Sequence, residues 1–136
     1  SDLPSAGNEK PWHFIVITDR ATLDKVPDIQ PYSSMITQAP MAILVCGDKD
    51  KEVYQGFWPQ DCAAATQNML LAAHASGLGC VWLGLYPVKD RVSKMQRLFG
   101  LPKNIVPFAI IPVGVPSEKK AFIDRFDETR VHDNIW

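Results

Sequence analysis

Asp61-Cys62-Ala63-Ala64-Ala65-Thr66-Gln67-Asn68-Met69-Leu70-Leu71-Ala72-Ala73-His74-Ala75-Ser76-Gly77-Leu78-Gly79-Cys80-Val81-Trp82-Leu83-Gly84 is the stretch on which the fold turns. It begins in the longest helix the sequence supports, residues 60–76. Pro59 or Asp61 marks the start, and Gly77 ends it by offering the positive φ that a helix exit favours. Cys62, Ala65, Met69, Ala72 and Ser76 line one side, but Ala64, Leu71 and Ala75 lie elsewhere, so the helix is apolar nearly all round. Such a helix is central rather than peripheral. Its alanines permit close approach. Past Gly77 the pattern becomes a strand, residues 79–83, followed by Gly84, where a missing Cβ admits a close neighbour.

Working outward, residues 12–18 are aromatic and β-branched and predict a strand. Residues 19–25 predict a short helix broken at Pro27, and residues 31–38 a loop or short helical turn. The continuous apolar run 41–46 suits a strand covered on both faces, closed by Gly47-Asp48. Residues 88–99 predict an amphipathic helix burying Val88, Val92, Met95 and Phe99, stopped by Gly100 and Pro102. Residues 107–113 predict a fourth strand, with Pro112 tolerated only at an edge or bulge. Residues 117–136 are polar and irregular with apolar anchors Phe122, Phe126, Ile135 and Trp136, which predicts an arm laid over another surface. The order of elements predicts mixed α and β structure with helices on both faces of a sheet.

A chain of 136 residues with 46% hydrophobic and 21% charged residues fits one globular domain, residues 1–136. A net charge of −1 without a basic block gives no footprint for nucleic acid. No apolar run approaches the roughly 20 residues of a membrane span, and no stretch resembles a signal peptide. Cys46, Cys62 and Cys80 lack CxxC spacing and sit among apolar neighbours, which predicts buried, reduced thiols and fits a cytoplasmic protein. Four strands and two good helices leave apolar surface for an upstream helix, a partner subunit, or both to cover.

Side-chain catalysts are hard to find. His13, His74 and His132 are scattered, and no HExxH, GxSxG or P-loop pattern occurs. His74 lies in the apolar helix and reads as structural. Asp48 and Asp50 flank a turn and are expected to be solvated. Ser5 lacks a neighbouring base. This pattern suits a cofactor enzyme, in which the protein supplies binding, orientation and electrostatics. The segment Pro4-Ser5-Ala6-Gly7-Asn8-Glu9-Lys10-Pro11-Trp12-His13-Phe14 concentrates turn formers ahead of a strand, which lets backbone approach a flat ligand.

These segments, with Asp124-Arg125-Phe126, resemble the FMN-dependent nitroreductase family over nearly the whole chain. The 61–84 stretch is similar to the family's Asp-x-Ala-x-Ala-x-Gln-Asn-x-x-Leu-Ala-Ala-x-x-x-Gly-Leu-Gly-x-x-Trp-x-Gly. Lys10-Pro11-Trp12 stands where the family has Gln-Pro-Trp. The family's Arg-x-Ser-x-Arg segment does not occur in the 136 residues, so the domain is expected to lack its N-terminal helical segment.

The resemblance implies an α+β, nitroreductase-like fold with a mixed or antiparallel central sheet flanked by helices. It implies FMN as cofactor and NAD(P)H as electron donor, with nitroaromatics, quinones or similar small molecules as acceptors. The implied FMN-binding residues are Pro4, Ser5, Ala6, Gly7 and Asn8, commonly reaching the flavin from the partner subunit, with Val81, Trp82, Leu83 and Gly84 on one flavin face. Arg125 would contact the phosphate, with Arg130 a second candidate. The flavin carries the chemistry, so no side chain is implied as catalyst and no metal is called for. The family is homodimeric with flavin at the interface, and neither nucleic acid nor membrane is an expected partner. A flavin-binding module without turnover, and a specialised FMN-dependent dehydrogenase or dehalogenase, remain as alternatives.

Overall fold

A computed structural model of the chain describes residues 4–116 and 122–136. The elements run β1 (Trp12–Ile17), α1 (Arg20–Leu23), β2 (Met41–Asp48), α2 (Trp58–Ala75), β3 (Gly79–Cys80), β4 (Leu83–Gly84), α3 (Lys89–Phe99) and β5 (Ile105–Gly114), with short 3-10 turns between several of them. The strands form one antiparallel sheet in the order β1-β2-β5, with β3 and β4 both on the far side of β5.

The run 41–46 is covered on both faces, as its unbroken hydrophobicity requires. Leu44 and Cys46 point into a core with Ile17, Leu23, Val26, Ile36, Met95 and Ile110. Val45 points the other way, into a core with Trp58, Cys62, Phe108, Ala109 and Ile111. Alternation along β2 and β5 thus feeds two cores. α3 and the 3-10 turns close one, and α2 closes the other. Gly47 and Asp48 do not close the strand but stay paired with β5, and position 47 is glycine because the Trp58 ring lies where a Cβ would be.

Three expectations are corrected by the structure. First, β5 is central, so Pro112 is neither on an edge strand nor at the bulge, which lies opposite Val45/Cys46. Secondly, residues 79–83 are not one strand. β3 and β4 share a single register against β5 but are interrupted at Val81–Trp82, opposite Ile111 and Pro112. Proline has no N–H to donate to a ladder, and the interruption falls where it sits. Thirdly, Val88 is exposed ahead of α3, whereas Met95 is buried as the amphipathic pattern predicts.

α2 begins at Trp58, with Pro59 in its first turn, and ends before Gly77, whose φ is +76°. Its first half is sunk into the second core through Trp58, Asp61, Cys62, Ala65 and Thr66. Its second half is exposed along Leu71, Ala72 and Ala75, with Leu71 57% accessible. The all-round apolarity therefore exceeds what this single chain buries, and His74 is exposed rather than packed in a core.

The C-terminal arm carries its apolar residues in the open. Phe122 is 92% and Trp136 99% exposed, and Phe126 and Ile135 are also exposed. Residues 117–121 of the expected arm lie outside the described residues.

Candidate functional site

The opening segment forms a tight turn. Ala6–Asn8 is a 3-10 turn in which Gly7 has φ +58°, and Asn8 and Lys10 follow at +56° and +47°. Glycine adopts this region freely and asparagine tolerates it. At Lys10 the conformation is held from outside: its N–H donates to Ser5 Oγ at 3.1 Å. Gly7 sits against the Tyr54 ring, leaving no room for a side chain. Glu9 Oε2 accepts the backbone N–H groups of Val53 and Tyr54, the latter at 3.2 Å.

The turn is fastened to the start of α2. The Ala6 N–H donates to Asp61 Oδ1 at 3.1 Å. Asp61 is 7% exposed. Burial pushes its carboxyl above the usual 3.8; the Ala6 N–H opposes this, and Glu9 and Glu52 push in the same direction as burial. Asp61 Oδ2 and Glu9 Oε1 are buried with no hydrogen-bond partner among the described residues.

The second segment reaches the same end of α2 through aromatic rings. Trp82 lies 5.9 Å from Phe108, Phe108 lies 6.3 Å from Trp58, and Trp58 lies 4.7 Å from Tyr86, all between ring centroids. The rings meet edge-on or tilted, the geometry their quadrupoles favour. Val81 and Trp82 are exposed, Leu83 is buried, and Gly84 is half-buried. A Cβ on Gly84 would meet nothing within 4 Å, so open space faces this backbone. The Gly84 carbonyl accepts from Gln30 Nε2 at 3.0 Å and from Arg91 Nη1 at 3.1 Å.

Pro4–Asn8 and Val81–Gly84 are thus both tied to the first turns of α2. Arg125 is not gathered with them; it lies in the exposed arm, where Asp124 Oδ1 accepts the Phe126 N–H at 2.9 Å. Arg130 is paired locally with Asp127.

Sequence reasoning missed Asp61, Gln30 and Arg91 as parts of the site. Asp61 reads as a helix-start signal, Gln30 stands in a turn without periodicity, and Arg91 reads as the polar side of an amphipathic helix. It also misplaced Asp48, which is 6% exposed and accepts from His13 Nε2 at 2.8 Å and Asn104 Nδ2 at 3.1 Å. Burial would raise the Asp48 carboxyl, but the bonds from His13, Asn104 and the Asp50 N–H outweigh it and hold the group below its ordinary value.

The antiparallel sheet, the half-buried α2 and the covering α3 define an α+β fold of the nitroreductase type. A structure from Clostridium acetobutylicum, described provisionally as an NADH oxidase, superposes with a TM-score of 0.95 at 43% identity, covering 98% of this chain and 81% of that one. The model of the Nitroreductase family matches residues 27–115. The chain belongs to that family. It is 50% identical to a Methanothermobacter thermautotrophicus protein provisionally named NADH dehydrogenase/NAD(P)H nitroreductase, over 98% of this chain and 70% of that protein. A provisional nitroreductase from Desulfovibrio desulfuricans, solved in complex with FMN, matches with a TM-score of 0.82 at 29% identity, covering 99% of this chain and 78% of that one. Among the described residues, no helix is long and apolar enough to cross a membrane.

Proposed function

We propose that this chain is an FMN-dependent oxidoreductase that takes electrons from NAD(P)H and passes them to nitroaromatic, quinone or similar acceptors. The observation that carries the reading is the open space facing the Gly84 backbone beside the exposed Trp82 ring. A flat ring can approach a strand there because no Cβ intervenes. The FMN in the Desulfovibrio desulfuricans relative supports the same choice of cofactor.

FMN, when bound, supplies the ring system that accepts hydride from the nicotinamide and delivers it to the acceptor. The chain's own share is to bind and orient. Val81, Trp82, Leu83 and Gly84 would line one side of the ring, and Pro4, Ser5, Ala6, Gly7 and Asn8 would border it. Arg125, which lies in the exposed arm away from these segments, would neutralise the phosphate of a flavin held at a subunit interface, for which a bidentate guanidinium is well matched. No side chain is assigned a proton-transfer role.

The protein would act as a cytoplasmic homodimer with FMN at the subunit interface. The exposed second half of α2 and the arm with Phe122, Phe126, Ile135 and Trp136 in the open support this reading. Apolar surface of that extent needs a cover.

The test is an absorption spectrum before and after adding FMN, followed by anaerobic addition of NADH or NADPH. Flavin bands retained through gel filtration and bleached by the nucleotide are the expected result. Retained bands that no nucleotide bleaches would mark a binding module without turnover. A protein that ignores FMN would overturn the reading.

A further inference from the structure

We propose that Gln30 and Arg91 are positioning residues that fix the Gly84 peptide, and that Arg91 also raises the reduction potential of the bound flavin. The inference rests on the reading that Gly84 borders the flavin.

The geometry is specific. Leu85 and Tyr86 both donate their N–H groups to the Phe108 carbonyl at 3.1 Å, and Leu83 is paired with Ile110. Polar groups alternate sides along a strand, so those of Gly84 face away from β5. On that outward side a carbonyl would ordinarily be left to water. Here it receives two side chains, one from a distant part of the chain and one from the helix that follows. Gln30 is 2% exposed and comes from the turn region before β2, 54 residues away. Its Oε1 accepts the Tyr32 N–H at 2.6 Å, which fixes the orientation of the amide and leaves Nε2 for Gly84. Arg91, from the first turn of α3, supplies the second donor, and its guanidinium lies 5.7 Å from the centre of the Tyr32 ring.

Two donors on one carbonyl hold the plane of the following peptide and so limit the backbone rotation of Gly84. Glycine is the residue with the most rotation to limit. A strand edge that must meet a flat ring at a set angle gains from this restriction, because less freedom is lost on binding. The guanidinium is a cation. It therefore fixes a positive charge within one hydrogen bond of the slot backbone, where it favours the electron-rich state of a bound flavin.

The test compares Gln30→Met, Arg91→Met, Arg91→Lys and Gly84→Val with the unaltered full chain. FMN affinity is read from quenching of flavin fluorescence, and the midpoint potential of the bound flavin from equilibration with reference dyes. Gln30→Met and Arg91→Met should each weaken FMN binding by about five- to tenfold, because the freed Gly84 peptide must then be ordered on binding. Arg91→Met should lower the potential, and Arg91→Lys should restore it. If Gly84→Val abolishes binding while folded Arg91→Met keeps normal affinity and potential, the positioning role is wrong and the slot assignment stands. If Gly84→Val binds FMN normally, the slot assignment fails and this inference with it. Gln30 is buried, so the Arg91 pair decides the matter should Gln30→Met fail to fold.

Discussion

The Ala6 N–H donates to Asp61 Oδ1 at 3.1 Å, joining the N-terminal turn to the first turns of α2 across 55 residues of chain. Asp61→Asn keeps an acceptor for Ala6 and removes a buried charge. It should be at least as stable as the parent at neutral pH, and Asp61→Ala should be less stable than Asp61→Asn by about 0.5–1.5 kcal/mol, the worth of the bond. The native carboxyl titrates above its usual 3.8. A raised native value means that the folded state holds the proton more tightly, so the parent loses stability relative to Asp61→Asn as pH rises through that value. Urea denaturation from acid to neutral pH checks this; an Asn variant weaker than the parent at pH 7 would refute it.

Asp48 has the opposite sign. Its native carboxyl lies below 3.8, so its contribution is present above that value and vanishes as pH falls through the native one. Asp48→Ala should remove about 1.5–3 kcal/mol at neutral pH, the range for bonds to a charged group. The difference from the parent should shrink in acid. A deficit that stays constant down to the acid transition would show that the bonds from His13 and Asn104 are not its source.

Gly47 and Gly84 should respond differently to the same added methyl group. At Gly47 a Cβ would collide with the Trp58 ring, whereas at Gly84 it would meet nothing within 4 Å. Gly47→Ala should destabilise the fold by about 1–3 kcal/mol through overpacking, and Gly84→Ala should leave the thermal midpoint nearly unchanged. Equal midpoints for the two variants would contradict this geometry.

Cys46 and Cys62 should be inert in the native protein. Burial pushes both thiols up to about 12, and the thiolate is the reactive species. Alkylation at pH 8 should label neither until the chain is unfolded. Native labelling at the rate of a free thiol would show that these sites open to solvent.

Arg125→Ala should weaken FMN binding by about 1.5–3 kcal/mol without changing the thermal midpoint of the cofactor-free protein, because the side chain lies on an exposed arm. An unchanged FMN titration would remove the phosphate role.

Hydrophobic periodicity and chain breakers determined much of this protein by sequence alone. The run 41–46 announced a strand buried on both faces, Gly77 marked the helix exit, and the 61–84 stretch carried the family, because these signals are local. Tertiary structure decided how distant segments met. Pro112 entered a central strand because the facing strand is interrupted opposite it. Asp48 became a buried acceptor because β1 brought His13 to it and the turn before β5 brought Asn104. Gln30 and Arg91 converged on one carbonyl although they belong to different turns and helices. A hydrogen bond across more than 50 residues leaves no period in the sequence, since neither partner's neighbours need to change to make it. Periodicity therefore reports which face is buried, and only the folded chain shows what each polar group meets there.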